Sequence, residues 1–444
     1  MAKALTLRVV KAITMLGSTQ GLNMVCSVVR MKALSILVGP AGVALLGAIS
    51  QAADLITNVT QLNVRTTAVP QMARATPSNF NEILICVHRY GRLLGLVGMS
   101  LMFLFAPLLS SYTFGSAEYA WAYRIASLSI LFQALQGTEL VVLQATSRYQ
   151  PIAASGLFTA VTGLLLAVPL YWGLRLDGIA PSLVGYSLMA WLGAMWFTRK
   201  LRPVGPRPRW RDSLRLGREF IKMGALMTLP ALAADGINFI FLGIIHDYGT
   251  DALGLYQAGY QIVWRYAAIF FAAFSTEFYP RLSKSITNRR CTSLLLTHQG
   301  IITTLLFTPC AAVVIIGAPW LITLLNTSEF IGVTPYVVWG MVGMTLRPLS
   351  ATVSFSFLAA GRAKIFAATE IISSIIGFAF NIAGLKLLGF TGLGIAVIAW
   401  MIADLTIMLA AARMAGAPLP KPRAAATAAC ATAALLTLAL IVTF

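Results

Sequence analysis

Residues 91–113 read GRLLGLVGMSLMFLFAPLLSSYT. The stretch carries a single charge, Arg92, and has the length of a membrane-spanning helix, which needs about 20 mostly apolar residues. It does not alternate in the manner of a barrel strand, and it is too long for a buried strand of a soluble sheet. Gly91–Thr113 is therefore predicted to cross a bilayer as a helix. Working outward, runs of the same kind fall near 10–36, 42–68, 119–145, 151–174, 178–198, 217–246, 252–278, 294–325, 331–358, 364–387, 391–413 and 424–443. Together they make thirteen candidate spans.

Composition agrees with that reading. Of the 444 residues, 58% are hydrophobic and only 11% charged, against about 25% charged in ordinary soluble domains. Mean hydropathy is +0.81. A soluble fold cannot cover so much apolar surface, which excludes a soluble enzyme, a secreted disulfide scaffold and a disordered chain. The expected fold class is an all-α polytopic membrane protein: two parallel six-helix bundles plus one extra C-terminal transmembrane helix.

The formal charge of +19 has the look of a nucleic-acid footprint until the charges are placed. With the N-terminus in the cytoplasm, one set of connections holds Lys3, Arg8 and Lys11, then Arg65, Arg74, Arg89 and Arg92, then Arg148. It also holds the basic stretch from Arg199 to Lys222, then Arg281, Lys284, Arg289 and Arg290, Arg362 and Lys364, and Arg413, Lys421 and Arg423. The other set carries Arg175 and Lys386 with Asp177, Asp247, Asp251 and Glu329. This is the positive-inside pattern, repeated along the whole chain. The charge is an orientation signal, and no nucleic-acid partner is expected. The expected topology is multi-pass, with a cytoplasmic N-terminus.

Other chemistries are thinly represented. Cys26, Cys86, Cys291, Cys310 and Cys430 have no C-x-x-C spacing and no nearby histidine, so they are expected to be small core residues, with no metal or other cofactor. His88 and His298 sit beside basic segments and are expected at the surface. The basic stretch Met1–Lys11 leads into a segment with Gln20, Asn23 and Arg30 and lacks a small-residue cleavage site, so it reads as a first span and not as a removed signal peptide. No G-x-x-x-x-G-K occurs, which removes a fused ATPase motor.

An internal repeat organises the spans. Gly39-Pro-Ala-Gly-Val-Ala-Leu-Leu-Gly-Ala-Ile-Ser-Gln51 follows the first span, and Gly249-Thr-Asp-Ala-Leu-Gly-Leu-Tyr-Gln-Ala-Gly-Tyr-Gln261 follows the seventh. Glu118 and Glu329 open spans four and ten; Gly178-Ile-Ala and Gly394-Ile-Ala open spans six and twelve. The near-constant offset points to duplication of a six-span half. The expected division is an N-terminal half at 1–198, a basic cytoplasmic linker at 199–216 that begins RKLRPVGPRPRW, a C-terminal half at 217–413 and an appended helix at 414–444. Transporters built from parallel repeats bind substrate between the halves and rock them.

Polar residues inside spans are costly and thus candidates for function. Span one carries Asn23, Ser27 and Arg30; span two carries Gln51, Asp54, Asn58, Gln61 and Arg65; span eight carries Gln257, Gln261 and Arg265. Each set steps by three or four residues and so shares a helical face. These side chains either pair across helices and fix packing or line a wet cavity. The expected cavity residues are Arg30, Arg124, Arg265 and Arg347 with Asn23, Gln61 and Gln261. Asp54, Glu139, Asp235, Glu370 and Asp404 are either counter-ions of those arginines or sites for a coupling H+ or Na+. Trp121, Tyr123, Trp264, Tyr266 and Trp339 are expected as interface anchors or core. Several arginines suit an anionic substrate, because a guanidinium grips phosphate with paired hydrogen bonds and stays charged. A carboxylate-dominated pocket would suit cations instead.

The segment Lys32-Ala-Leu-Ser-Ile-Leu-Val-Gly-Pro-Ala-Gly-Val-Ala-Leu-Leu-Gly47, with Leu253-Gly-Leu-Tyr-Gln257 and Gly389-Phe-Thr-Gly-Leu-Gly-Ile-Ala396, resembles the multidrug/oligosaccharidyl-lipid/polysaccharide exporter superfamily. Within it the likeness is to its Wzx-type O-antigen or enterobacterial-common-antigen flippases. The extra thirteenth span departs from that pattern. The resemblance implies translocation of an undecaprenyl-diphosphate-linked oligosaccharide by alternating access, with Arg30, Arg265 and Arg347 matched to the cavity. It also implies membrane lipids as surroundings and a glycan polymerase and glycosyltransferases as partners. Two alternatives stand beside it: an ion-coupled exporter of drugs or small solutes, and a membrane polysaccharide polymerase or ligase. The short connections leave the last little room for a catalytic platform.

Overall fold

The computed structural model describes residues 21–62, 64–73, 75, 80–146, 148–199 and 209–443. Gln20 and most of the basic segment after Arg199 lie outside the described residues, as does the side chain of Arg65. The described chain is helical, with no strand. In order the helices are α1 (21–37), α2 (Gly39–Gln61), α3 (Val64–Ala73), α4 (Phe80–Phe114), α5 (Ala120–Ala145), α6 (Tyr149–Leu174), α7 (Ile179–Thr198) and α8 (Trp210–His246). They continue with α9 (Thr250–Tyr260), a π-helical turn at Gln261–Tyr266, α10 (Ala267–Ser285), α11 (Arg289–Ile316), α12 (Ala318–Leu325), α13 (Thr334–Met344), α14 (Arg347–Ala359), α15 (Ala363–Met414) and α16 (Pro422–Thr443).

Among the described residues, 8 helices are long and apolar enough to cross a membrane, and 9 if the bent pair Ser328–Met344 and Arg347–Ala359 counts as one broken span. Two of the eight, 150–198 and 363–414, double back and each carry two of the sequence-predicted spans. In the first, the 3-10 turn Arg175–Gly178 reverses the chain, so that Ser182 bonds Tyr171 at 3.0 Å and Gly193 packs on Phe158. In the second, Gly389 takes φ 58° and ψ −134°, a conformation that L side chains avoid and glycine accepts. Gly384 then lies against Gly392, and Gly377 against Trp400, as the two arms of an antiparallel hairpin must. Leu104, Trp172, Val313 and Leu387 are more than 70% exposed. Apolar side chains this open belong against lipid tails.

The chain forms two compact units. The first runs to Asp235 and takes up Leu242–Thr250 again; the second comprises Gly236–Phe241 and Asp251–Phe444. In the first unit α4 meets α5 through a stripe of glycines: a Cβ on Gly91 would strike Thr138, and one on Gly95 would strike Ala134. Without a hydrophobic drive between helices in lipid, small residues that allow close approach stabilise such contacts. The start of α8 packs back on α4. Cys86 Sγ donates to the Ser213 carbonyl, Arg89 donates to Ser213 Oγ at 2.8 Å and lies over the Trp210 ring, and Gly217 sits on Tyr90. The composition boundary at 199–216 thus precedes the packing boundary by most of a helix.

In the second unit, α13 packs along α15, and α16 packs along α11. The extra C-terminal helix packs against this unit. Thr432 bonds Thr345 at 2.8 Å, Ser293 Oγ donates to the Leu419 carbonyl, the Lys421 N–H donates to Thr297 Oγ1, and Ala424, Ala428, Leu435 and Ala439 are buried. The cysteines also depart from expectation. Cys86 is buried, but Cys291, Cys310 and Cys430 are exposed; a small apolar side chain on a lipid-facing helix needs no protein cover.

Candidate functional site

The second unit holds a buried charge network. It is set up by the break between α13 and α14. Pro348 stands at the second position of α14, where its missing N–H costs nothing, and it cannot continue the helix before it. The two helices therefore meet at 51°. Gly343 lies against the backbone of Val397 and Ile398, which presses α13 onto the second arm of α15. Arg347, the first residue of α14, then reaches Asp404 two turns along that arm. Arg347 Nη1 lies 3.1 Å from Asp404 Oδ2, and Nη2 lies 3.7 Å from Glu370 Oε2. Four further donors complete the network. Ser350 Oγ bonds Asp404 Oδ2, Ser373 Oγ bonds Asp404 Oδ1 at 2.6 Å, Ser354 Oγ bonds Glu370 Oε1 at 2.7 Å, and Trp400 Nε1 bonds Ser373 Oγ at 3.1 Å. Asp404 is 0% exposed. One arginine thus pairs with two carboxylates, Asp404 and Glu370.

Beside this network runs a chain of aromatic rings. Tyr336 stacks on Tyr256, Tyr256 meets Tyr260, Tyr260 stacks on Trp264, and Trp264 meets Trp400 with 4.7 Å between centroids. The π turn brings Trp264 into this row and leaves Arg265 exposed on its unit. Single π turns recur at functional sites. Gln261 Nε2 donates to Tyr266 Oη at 3.2 Å, a five-residue spacing that the π register suits. Trp264 and Trp339, expected as core or anchors, stand here as inward residues: Trp339 is buried and Trp264 half-buried.

In the first unit the candidates are spread out. The Arg30 guanidinium lies 4.6 Å from the Tyr186 ring centre, and Arg124 lies 5.8 Å from that of Phe103. Asn23 Oδ1 is buried without a hydrogen-bond partner among the described residues. Asp54 is exposed on α2, while Asp235 accepts a hydrogen bond from Asn58. Gln61 lines a small cavity between α2, α4 and α5. Glu139 is buried and pairs with His88 and Thr198. His88 was expected at the surface because of its basic neighbours, but its side chain is 26% exposed and meets Glu139 on α5. Its role as a partner left no mark in the sequence, since Glu139 is 51 residues away.

The fold and its intramembrane charges define a multi-pass helical membrane protein. The structure is similar to the lipid II flippase MurJ in an inward-closed conformation, with a TM-score of 0.69, 14% identity, and coverage of 96% of this chain and 90% of that one. It is similar to an inward-facing multidrug resistance MATE family transporter of the MOP superfamily, with a TM-score of 0.66, 14% identity and coverage of 94% and 95%. A third likeness is to a MOP superfamily transporter from Pyrococcus furiosus described by the reverse polarity of its binding pocket, with a TM-score of 0.63, 16% identity and coverage of 94% and 96%. No curated protein sequence matches the chain. Residues 87–335, more than half of the chain, match the family described as polysaccharide biosynthesis protein. The chain belongs to that family.

Proposed function

We infer that the protein flips a polyprenyl-diphosphate-linked oligosaccharide, the repeat unit of an O-antigen or similar surface polysaccharide, across the bacterial inner membrane by alternating access. The observation that carries this reading is membership of a polysaccharide-biosynthesis family by a chain with a transporter fold. The intramembrane arginines fit the anionic diphosphate. They are not equivalent. The fork of Arg347 is engaged by Asp404 and Glu370, so Arg347 organises its unit. Arg30, over the Tyr186 ring, and Arg265, on the π turn, are the residues we propose for the diphosphate.

The second reading is an exporter of drugs or small solutes. It draws on the likeness to MATE transporters, whose TM-score nearly equals that to MurJ. Complementation of a flippase-null strain separates the two: the flippase restores surface glycan, and an exporter instead lowers drug sensitivity. A polymerase or ligase is disfavoured by connections as short as Arg175–Gly178, which cannot hold a catalytic platform.

A further inference from the structure

Trp264 stands fourteen residues from Thr250, where α9 begins, about 21 Å along the helix. Trp400 stands eleven residues from the Gly389 reversal, about 16 Å along its arm. Both are remote from the ends of their spans. The interfacial belt that places many membrane tryptophans does not account for them. Each ring carries an indole N–H, and a buried donor calls for a partner. The Trp400 N–H donates to Ser373, whose hydroxyl donates to Asp404. The row of rings is thereby tied to the Arg347 network and held in place by it. Trp339, on α13 one turn from Tyr336, differs: its Nε1 is buried and has no hydrogen-bond partner among the described residues.

The row is graded. Tyr256 and Tyr336 are buried, whereas Tyr260, Trp264 and Trp400 are half-buried. The groups beside the more open rings are neutral amides. Asn238 Nδ2 donates to Tyr260 Oη at 3.2 Å, and Gln261, half-buried, stands one turn before Trp264. Among the described side chains of α9, the π turn and α13, Asp251 is the only carboxylate, and it is exposed nine residues from Tyr260. Asp404 and Glu370 are paired with Arg347. Aromatic rings attract organic cations as well as sugars, but Arg265 follows Trp264 directly in the chain, so a cation on that indole would meet a like charge with no carboxylate beside it.

Rings flanked by neutral hydrogen-bonding groups suit a sugar. The C–H groups of a pyranose carry slight positive charge and rest against the negative face of an aromatic ring, while its hydroxyls donate and accept. We propose that Tyr260, Trp264 and Trp400 form a sugar subsite within the second unit, with Asn238, Gln261 and the Trp339 N–H serving the sugar hydroxyls. It takes the sugar joined to the diphosphate, with Arg265 for the phosphate beside it. The proposal rests on the flippase reading and adds to it the residues that read the glycan. The unpaired Trp339 donor is the group that a sugar oxygen would satisfy.

Two probes in nanodiscs separate sugar from lipid: bare undecaprenyl diphosphate, and the same lipid bearing an oligosaccharide. Wild type is expected to bind the glycosylated probe more tightly than the bare one. Trp264→Leu is expected to shrink that preference by about three- to tenfold, the scale of one ring stack, and Trp264→Phe to recover part of it. Trp339→Phe, which keeps a ring and removes the N–H, is expected to shrink it too. A preference equal to that of wild type in both Trp264→Leu and Trp339→Phe overturns the subsite. A second measurement uses 5-fluorotryptophan-labelled wild type, with the Trp264 and Trp400 signals assigned by replacement with Phe. Those signals are expected to shift with the lipid-free oligosaccharide. No shift, or a shift with tetraphenylphosphonium alone, overturns the proposal, the latter in favour of a cation site. A wild type that binds neither lipid probe refutes the flippase reading instead, and the fluorine signals still decide the subsite.

Discussion

Replacing Arg347 by Ala should damage the protein through Asp404. The carboxylate is fully buried and accepts from Ser350, Ser373 and Arg347. Removing the guanidinium leaves two hydroxyl donors and two carboxylates with no cation between them. Breaking a buried pair by deleting one partner costs about 3–5 kcal/mol, because the remaining charge is left uncompensated. At 1.4 kcal/mol per tenfold, that lowers the folded-to-unfolded ratio by roughly 10² to 10³·⁵. Glu370 is more open, 18% exposed, and its contact with Arg347 is longer at 3.7 Å. Glu370→Gln should therefore cost about 1 kcal/mol, near the range of partly solvated pairs.

The assay is reversible or scan-rate-controlled unfolding in one lipid–detergent mixture, followed by tryptophan fluorescence. Adding Asp404→Asn to Arg347→Ala removes the stranded charge and should recover at least half of the loss. An Arg347→Ala protein as stable as wild type would refute the argument. So would a double variant as damaged as the sum of Arg347→Ala and Asp404→Asn measured singly, because the cycle would then show no coupling between the two residues.

The packing and topology carry three more predictions. Gly389→Ala should destabilise the α15 hairpin by about 1–3 kcal/mol through backbone strain alone, since nothing lies within 4 Å of the added methyl group; thermal unfolding reads the loss. Truncation after Pro420 removes α16 and exposes the face of α11 and α13 that it covers, so yield and stability of the inserted protein should fall sharply, as gel-filtration monitoring would show. For topology, single cysteines placed at 209–212 on a background lacking the five native ones should react with a membrane-impermeant maleimide only in inverted vesicles; labelling of intact spheroplasts would contradict a cytoplasmic N-terminus.

The helices were legible because lipid imposes length. Runs such as 91–113 and 364–387 cannot be anything shorter in the membrane, and α4 and the first arm of α15 contain them. The breaks between runs at 174–178 and 387–391 fall where the structure reverses, at Arg175–Gly178 and Gly389. Side-chain partners were not legible in the same way. Glu139, Glu370 and Asp404 stood out because each is an isolated acid in an apolar run, but Asp404 lies 57 residues from Arg347 and Glu139 lies 51 from His88. Only the hairpin of α15 and the α4–α5 stripe bring these pairs together.

Basic neighbours misplaced His88, because Arg89 turns to Ser213 and Trp210 while His88 meets Glu139 on α5. The π turn at Gln261 also left no pattern, since a single added residue does not disturb the spacing of Gln257, Gln261 and Arg265. The last helix has no counterpart in the repeat and so read as an addition. Its buried face of Ala424, Ala428, Ala431, Leu435 and Ala439 steps by three and four residues, and in lipid that is a packing surface.

The central claim is transport of a lipid-diphosphate oligosaccharide that relies on arginine. The direct measurement is movement of a defined fluorescent undecaprenyl-diphosphate oligosaccharide across proteoliposomes, by wild type, Arg265→Ala and Arg265→Lys. The account predicts transport by wild type, a loss of at least tenfold in the alanine variant with its fold intact, and partial recovery with lysine, which keeps the charge but not the fork. Transport by Arg265→Ala at the wild-type rate, or none by wild type, would contradict it.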